Sequence, residues 1–449
     1  MVSAYRSSFP CIVRISLILR DAVHGLVSFE SDEELIVPRL LEAAEVQRLR
    51  RIKQLGVASF AFPGAEHSRF AHAIGAAHVM KMLLARLRTV SREARLDPAH
   101  CIDETTARDA LAAALLHDVG HGPLSHLFEG AIGETGKHEE WTVRVISDPS
   151  TQVHAILRGI DEGMPARVAA FVRGEHRLPY MANAVSGTFD VDRCDYLLRD
   201  AYATGVRYGV FDLDWLLRSL RFGKAESGPG TPPTLAIDGA KGLPAIEAFV
   251  LARLFMFQQV YLHKATRAAE WMIRTVLERA RKWLRDGKDL PGTPRAMVSA
   301  ARGELPSLAD YIALDDHVLS VTMTAWESSS DRALSDVARR VRERKLFKTL
   351  ELFGDQAAPG ARDEALAVVQ KIAAARGLDP EVFAGLDVST CVAFADDDDL
   401  PVAFEKGPER PLRDVSFIVG RLAGEAVTRT RLVFASELRE EVLARVGVT

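Results

Sequence analysis

From Asp109 to Leu116 the chain reads DALAAALL, and it runs on as HDVGHGPLSHLF. A helix that is apolar on nearly every side has to be buried, so this run fixes a core element and carries the residues at its C-terminal end inward. Those residues are His117-Asp118, with His121 and His126 close behind. These belong to a wider group: His67, His72, His78, His100, His117, His121, His126 and His138 are eight of the thirteen histidines in the chain. A lone helical histidine is ordinarily a hydrogen-bonded, half-buried residue, but this density asks for more. An ionised aspartate beside imidazole in apolar company is costly unless a cation or hydrogen bonds compensate it. A divalent metal does so. Neutral imidazole and carboxylate suit first-row ions, so Mn, Fe, Co or Zn, with Mg as the hard alternative, are the cofactors to expect.

The rest of the composition sets limits on the reading. The 449 residues suffice for two or three structural units, and 48% hydrophobic with 26% charged residues is the balance of a globular, soluble chain. The formal net charge of −4 provides no general attraction for nucleic acid, so a polyanion site has to be assembled from local arginines. Cys11, Cys101, Cys194 and Cys391 lie far apart, without a CxxC pair, which points to a reduced cytoplasmic setting and away from a thiolate zinc site. The first twenty residues lack a long apolar h-region, and no 18-residue apolar run stands out, so neither a signal peptide nor a membrane association is expected.

The expected fold is mainly α: a helical bundle with a short N-terminal β element and a smaller α+β region at the C-terminus. Residues 12–29 alternate and are β-branched, suggesting strands broken at His24-Gly25, and residues 1–32 form the N-terminal strand segment. SDEELIVPRLLEAAEVQRLRRI, HSRFAHAIGAAHVMKMLLARLRTV and TARDALAAALLHDV carry helical spacing. Further helices are expected near 138–147, 152–173, 190–200 and 243–286, within a helical domain over 33–287. GKAESGPGTPPT reads as a loop, and KDLPGTPRAM opens the α+β region, 288–449. The tract Asp396–Asp399 reads as a solvated loop.

His117 and Asp118 need further metal ligands. One candidate is His72 in HSRFAHAIG, with Arg69 one helical turn earlier; another is Asp192 in FDVDRCDYLLRD. Asp192, Tyr196 and Asp200 recur every four residues, a polar stripe on one helix face with Arg193 at its edge. A solvated face accounts for the acids, less well for the tyrosine between them. Arg253, Phe257 and Tyr261 form another stripe, which core packing alone would also produce.

Taken in order, QRLRRIKQLG, FPGAEHSRFAHAIG, LLHDVGHGPLSHLFE, KHEEW, DVDRCDYLLRD and YLHKA resemble the HD-domain phosphohydrolases. More narrowly they resemble the deoxynucleoside triphosphate triphosphohydrolases among them, the dGTPases and the vertebrate dNTPase with sterile-alpha-motif and HD domains. The likeness covers roughly residues 17–350. It implies a metal held by His72, His117, Asp118 and Asp192, and active-site histidines at His121, His126 and His138. It places Arg69, Arg193 and Arg253 on phosphates, Tyr196 and Asp200 around the deoxyribose and its 3′-hydroxyl, Gln54 and Leu55 near sugar and base, and Tyr261 on the pocket wall.

The activity implied is metal-dependent hydrolysis of a dNTP to deoxynucleoside and tripolyphosphate, with water attacking the α-phosphate, by a homo-oligomer. Leu17 and Glu42 stand where activator-binding relatives carry a lysine and an aspartate, while Gln47 and Arg50 are kept; hydrolysis is therefore expected without a guanine-nucleotide activator. Leu262 replaces a glutamine that often follows the pocket tyrosine, so base preference does not carry over. The rival readings are another HD phosphohydrolase, a nucleoside monophosphatase or phosphodiesterase, and a nucleotide or nucleic-acid sensor; three arginines are more than one phosphate needs, and nucleic-acid binding has no aromatic-basic pattern behind it.

Overall fold

In the computed structural model, which describes residues 17–130, 136–187, 189–223, 233–392, 394 and 400–447, the apolar run forms the helix Glu104–Leu116. Asp103 caps it by accepting from the Thr106 amide, and every residue from Asp109 to Leu116 is buried. It packs against the helix Arg69–Ala94, which starts where Ser68 accepts from the Ala71 amide and ends where Arg95 turns left-handed. Both helices are rich in buried alanine, Ala73, Ala76 and Ala77 on one and Ala110 and Ala112 to Ala114 on the other, and small side chains let the axes come close.

A third helix, Val191–Thr204, is capped by Asp190, stopped by Gly205 at φ +77°, and also lies along Arg69–Ala94. That approach depends on Gly75. A Cβ at this position would sit 1.8 Å from the Asp195 Oδ1.

The N-terminal strands are Leu17–Asp21 and Gly25–Phe29, an antiparallel hairpin with Leu17 opposite Phe29 and a turn that Gly25 permits at φ +72°. Three expected helices are interrupted. The 33–52 stretch becomes Ile36–Leu41, Ala44–Arg48 and a 3-10 turn, because Ala43 adopts extended backbone between them. The 152–173 stretch divides into Gln152–Arg158 and Met164–Val172 around Gly159 and Gly163. The 243–286 stretch is Leu243–Met256, a π segment Phe257–Tyr261, and Lys264–Arg285 after an extended His263. Leu243–Tyr261 is also long and apolar enough to cross a membrane by length and composition. Pro244, Glu247 and Arg253 interrupt its sequence, so it does not read as an unbroken apolar run. It nonetheless buries Phe249, Val250 and Met256 in the core.

One core cluster gathers most of its residues from Val27 to Val260 and adds others as far as Val419, and a second gathers most of its residues from Ala268 to Val442. The C-terminal region is α+β: Lys348–Leu352, Ala426–Phe434 and Ala384–Val392 form an antiparallel sheet with the long strand in the middle. Two short strands leave it. Pro401–Ala403 pairs in parallel with Leu235–Asp238, and Arg410–Pro411 extends that sheet, so the last third of the chain is sewn back to the helical body. The aspartate tract Asp396–Asp399, residues 224–232 of the predicted loop, Cys11 and the start of the first predicted strand lie outside the described residues.

Candidate active site

His72 is fully buried on the first turn of its helix, and His117 closes the apolar helix. Each ring is fixed through Nδ1. His72 Nδ1 donates to Asp195 Oδ2 at 2.8 Å, and His117 Nδ1 donates to the Ala114 carbonyl at 2.9 Å. With those protons placed, the two Nε2 lone pairs face each other at 3.2 Å, and Asp192 Oδ1 lies 3.0 Å from one and 3.5 Å from the other. Asp118 completes the set: Oδ2 is 3.7 Å from His72 Nε2 and Oδ1 is 3.5 Å from His117 Nε2. Facing lone pairs and two carboxylates call for a positive charge between them. Bonds of about 2.0–2.2 Å to such donors put neighbouring ligand atoms about 3.0–3.5 Å apart. His72, His117 and Asp192 could together hold a divalent metal, and Asp118 stands beside them with its Oδ2 bonded to Arg69.

The ionisation of the group agrees. Burial pushes His72 down, yet its hydrogen bonds to Asp192 and Asp195 carry it up to about 10, so the site attracts positive charge and Nε2 carries a proton unless a cation takes its lone pair. Burial opposes ionisation of Asp118 as well, and Arg69, His117 and His121 outweigh it, holding the carboxyl well below the usual range. Asp192 is held low against burial by His117 and His72.

The loop after His117 carries the other histidines. Gly120 lets it press on the helix His138–Ser147, since a Cβ there would lie 2.3 Å from the His138 carbonyl. Leu124 and Ser125 both take positive φ, +52° and +57°, a conformation that costs about 1–2 kcal/mol per residue and recurs at functional loops. Asp316 holds the turn by accepting from the Leu124 and Lys53 amides. His121 Nε2 faces Asp118 Oδ1 at 3.1 Å, and the Nδ1 atoms of His138, His126 and His121 lie 2.9, 3.4 and 3.8 Å from Glu129 Oε1. These four could also surround a cation by distance alone. Their ring geometry speaks against it: His121 and His138 are stacked at 3.8 Å and 13°, so their lone pairs run parallel instead of converging. The group is an imidazole array sharing one carboxylate, suited to holding and passing protons.

A cavity of about 490 Å³ adjoins the cluster and is lined by Gln54, Leu55, Arg69, His126, Asp192, Arg193, Tyr196, Asp200 and Tyr261, among others. Tyr261 sits on the π segment and donates to Asp200 Oδ2 at 2.7 Å, while His67 Nε2 meets Asp200 Oδ1 at 2.8 Å. Arg69 is less free than its place in the sequence suggests. Its guanidinium is bonded to Asp118 through Nη1 and to Ser125 Oγ through Nε at 2.8 Å. Arg253 is not among the lining residues; its guanidinium carbon lies 5.9 Å from the Phe257 ring.

Residues 69–200, from Arg69 to Asp200 and including all four ligand candidates, match the HD domain family. The uncharacterized protein YwfO of Bacillus subtilis is 32% identical over 429 residues, spanning 94% of this chain and 92% of that one. The chain belongs to the HD-domain phosphohydrolase family. A deoxynucleoside triphosphate triphosphohydrolase, the SAMHD1 homolog of Dictyostelium discoideum, is 26% identical over 75% of this chain and 60% of its own length. The SAMHD1 enzyme of Gallus gallus is 31% identical over 46% and 37%. Among solved structures, a phosphohydrolase from Bacteroides thetaiotaomicron superposes with a TM-score of 0.77 at 26% identity, covering 93% of this chain and 99% of that one.

The family pattern does not contain every residue at the site. Arg267, Glu270 and Arg274 line the cavity from the helix Lys264–Arg285, and Arg267 is anchored to Asp387 of the C-terminal sheet at 2.5 Å. Their i, i+3, i+7 spacing in RAAEWMIR was the available signal; nothing in the sequence told which side of that helix faced the pocket. Neither Glu129, in the turn after Ser125–Leu127, nor Asp195, one acid among several on its helix, stands out in the sequence.

Proposed function

We propose that this HD-domain phosphohydrolase acts on deoxynucleoside triphosphates, releasing deoxynucleoside and tripolyphosphate. One observation carries the reading: a single cavity runs from the ligand cluster to the Asp200–Tyr261 pair, with Arg193, Arg267 and Arg274 along it. Guanidinium groups suit phosphates, with Arg193 and Arg274 the proposed contacts while Arg267 is paired with Asp387 and Glu270, and a hydrogen-bonded acid and tyrosine suit a sugar hydroxyl. The names of the triphosphohydrolase relatives support the same choice.

A divalent ion held by His72, His117, Asp118 and Asp192 supplies charge to a phosphoryl oxygen and makes water more acidic. The protein does the remainder. The arginines hold the β- and γ-phosphates, and Asp200 with Tyr261 holds the 3′-hydroxyl. Tyr196, wedged between His72 and Tyr261 with ring centroids 6.5 and 6.4 Å away, packs on the sugar and leaves no space for a 2′-hydroxyl. His126, kept near Glu129, protonates the departing 5′-oxygen. The reading includes a cytoplasmic homo-oligomer; the exposed Ile18 and Leu26 of the hairpin are surface that a second copy can cover.

The test is product analysis. The purified chain, supplied with each dNTP and NTP and with Mn²⁺, Mg²⁺ or Co²⁺, is expected to release tripolyphosphate from dNTPs. Pyrophosphate with dNMP, or faster cleavage of a monophosphate, would give the site to another phosphatase or phosphodiesterase.

A further inference from the structure

Asp195 lies one turn after Asp192 on the same helix, meets the other nitrogen of the same His72 ring, and is fully buried. Both its oxygens are saturated. Oδ2 accepts from His72 Nδ1 at 2.8 Å and Arg199 Nε at 2.8 Å; Oδ1 meets His24 Nε2 at 2.7 Å and Arg199 Nη2 at 2.9 Å. Arg199, itself buried, spends its remaining nitrogen on Asp21 Oδ2 at 2.9 Å. Asp21 is the last residue of the first strand, and its Oδ1 accepts from the Val23 and His24 amides at 2.9 Å each, which shapes the hairpin turn.

A buried ion pair is a poor way to stabilise a fold, because apolar side chains of similar volume do as well or better. The helix pair has also given up a side chain for this one: at Gly75 a Cβ would fall 1.8 Å from Asp195 Oδ1 and 2.4 Å from Arg199 Nη2. What the charge does here is specific. By taking the Nδ1 proton it fixes both the tautomer and the rotation of His72, so that Nε2 is the nitrogen turned to His117 and Asp192. His117 is held differently, by the backbone carbonyl of its own helix.

We infer that Asp195 is a positioning residue for the metal site, keeping the His72 lone pair aimed at the cation, and that Arg199 and Asp21 extend this hold to the N-terminal hairpin. The hairpin is thereby part of the site's support although it contributes no ligand. The inference concerns a metal ligand and stands whichever phosphate ester is cleaved.

The experiment is calorimetric titration of the full, metal-stripped chain with Co²⁺, beside its metal-free Tm and its kcat and KM. Removing an outer partner of a metal-bound histidine ordinarily weakens metal binding about 10–100-fold. Asp195→Asn is expected to do so, lowering kcat with KM little changed. Asp21→Asn, which touches no ligand, is expected to weaken Co²⁺ binding about threefold to tenfold, less than a direct partner does. A lowered Tm with unchanged Co²⁺ affinity in both variants makes the network structural only and overturns the inference. Should Asp195→Asn fail to fold, Asp21→Asn decides alone: unchanged affinity overturns the link to the hairpin, weakened affinity supports it.

Discussion

Two groups of histidines adjoin the same pocket, and they are built differently. His72 and His117 belong to helices, the first fully buried and the second largely so, and each has its Nδ1 proton committed to a fixed acceptor. His121, His126 and His138 come from a loop, a 3-10 turn and a helix start; their Nδ1 atoms crowd one Glu129 oxygen, and His126 has 70% of its side chain exposed. Locked rings with converging lone pairs suit a ligand set. Stacked rings around a shared acid suit proton transfer. Imidazole alone therefore does not decide the role; the partner of the second ring nitrogen does.

The sharpest way to break this contrast is to remove a member of the first group. Asp192→Asn or His117→Ala is expected to reduce turnover to background and to lose bound metal, while circular dichroism stays helical; chelation should imitate them until metal is returned. Retained metal in either variant would cancel the distinction. In the second group, His126→Ala and Glu129→Gln should leave metal content unchanged and cost about 10²–10⁴ in kcat, the usual worth of general acid–base catalysis. Glu129 is half-buried, which favours its neutral form, but hydrogen bonds with His126 and His138 hold it well below the ordinary range. It is therefore an anion throughout the neutral region, and Glu129→Gln should alter the pH profile of kcat. Loss of metal from either variant would move the array into the ligand set.

Much of the first group was legible in the text, because its signals are local. An all-apolar helix ending in His-Asp, and acids with a tyrosine at four-residue intervals, both survive as written: Asp192, Tyr196 and Asp200 do line one cavity. The adjoining stripe of that same helix was not legible. Asp195 and Arg199 look like ordinary i, i+4 surface charges until Gly75 of a neighbouring helix brings them inside. Nor could periodicity divide 243–286, where the π segment Phe257–Tyr261 and extended His263 set the pocket wall. Strand pairing between 235–238 and 401–403 depends on chain return over more than 160 residues, which no local pattern encodes.

A third region separates the proposed substrate from a generic phosphate ester. Arg69 is a poor probe, since it holds Asp118 and its loss would disturb the ligand set. Arg274 lines the pocket remote from that cluster and is exposed. A charge-assisted hydrogen bond contributes about 1.5–3 kcal/mol, so Arg274→Ala should lower kcat/KM for a dNTP by about one to two decades, with normal metal content. A p-nitrophenyl phosphodiester should be affected less. Equal losses on both substrates would favour the phosphodiesterase reading.

The smallest effect expected lies at the hairpin. Leu17, Arg20, Asp21, Glu42, Gln47 and Arg50 line a cavity of about 330 Å³, in which Arg50 Nε donates to the Gln47 side chain at 2.8 Å and its guanidinium stacks 3.6 Å from the Phe70 ring. Such a cavity has the reach to influence the first histidine group, because Asp21 is bonded to Arg199 and Arg199 to the Asp195 that holds His72; no described hydrogen bond joins the hairpin to Glu129 and its array. Occupancy is another matter. Where activated relatives place a lysine and an aspartate, Leu17 offers no charge to a phosphate, and Glu42 is a longer acid in place of the aspartate. An effector that couples to a second site changes affinity by about 5–150-fold. Here GTP or dGTP added to a single other dNTP should alter its initial hydrolysis rate by less than about twofold, well under that range. If hydrolysis stays at background until a guanine nucleotide is present, the hairpin cavity binds an activator after all, and the support it gives His72 becomes the route by which that binding is felt.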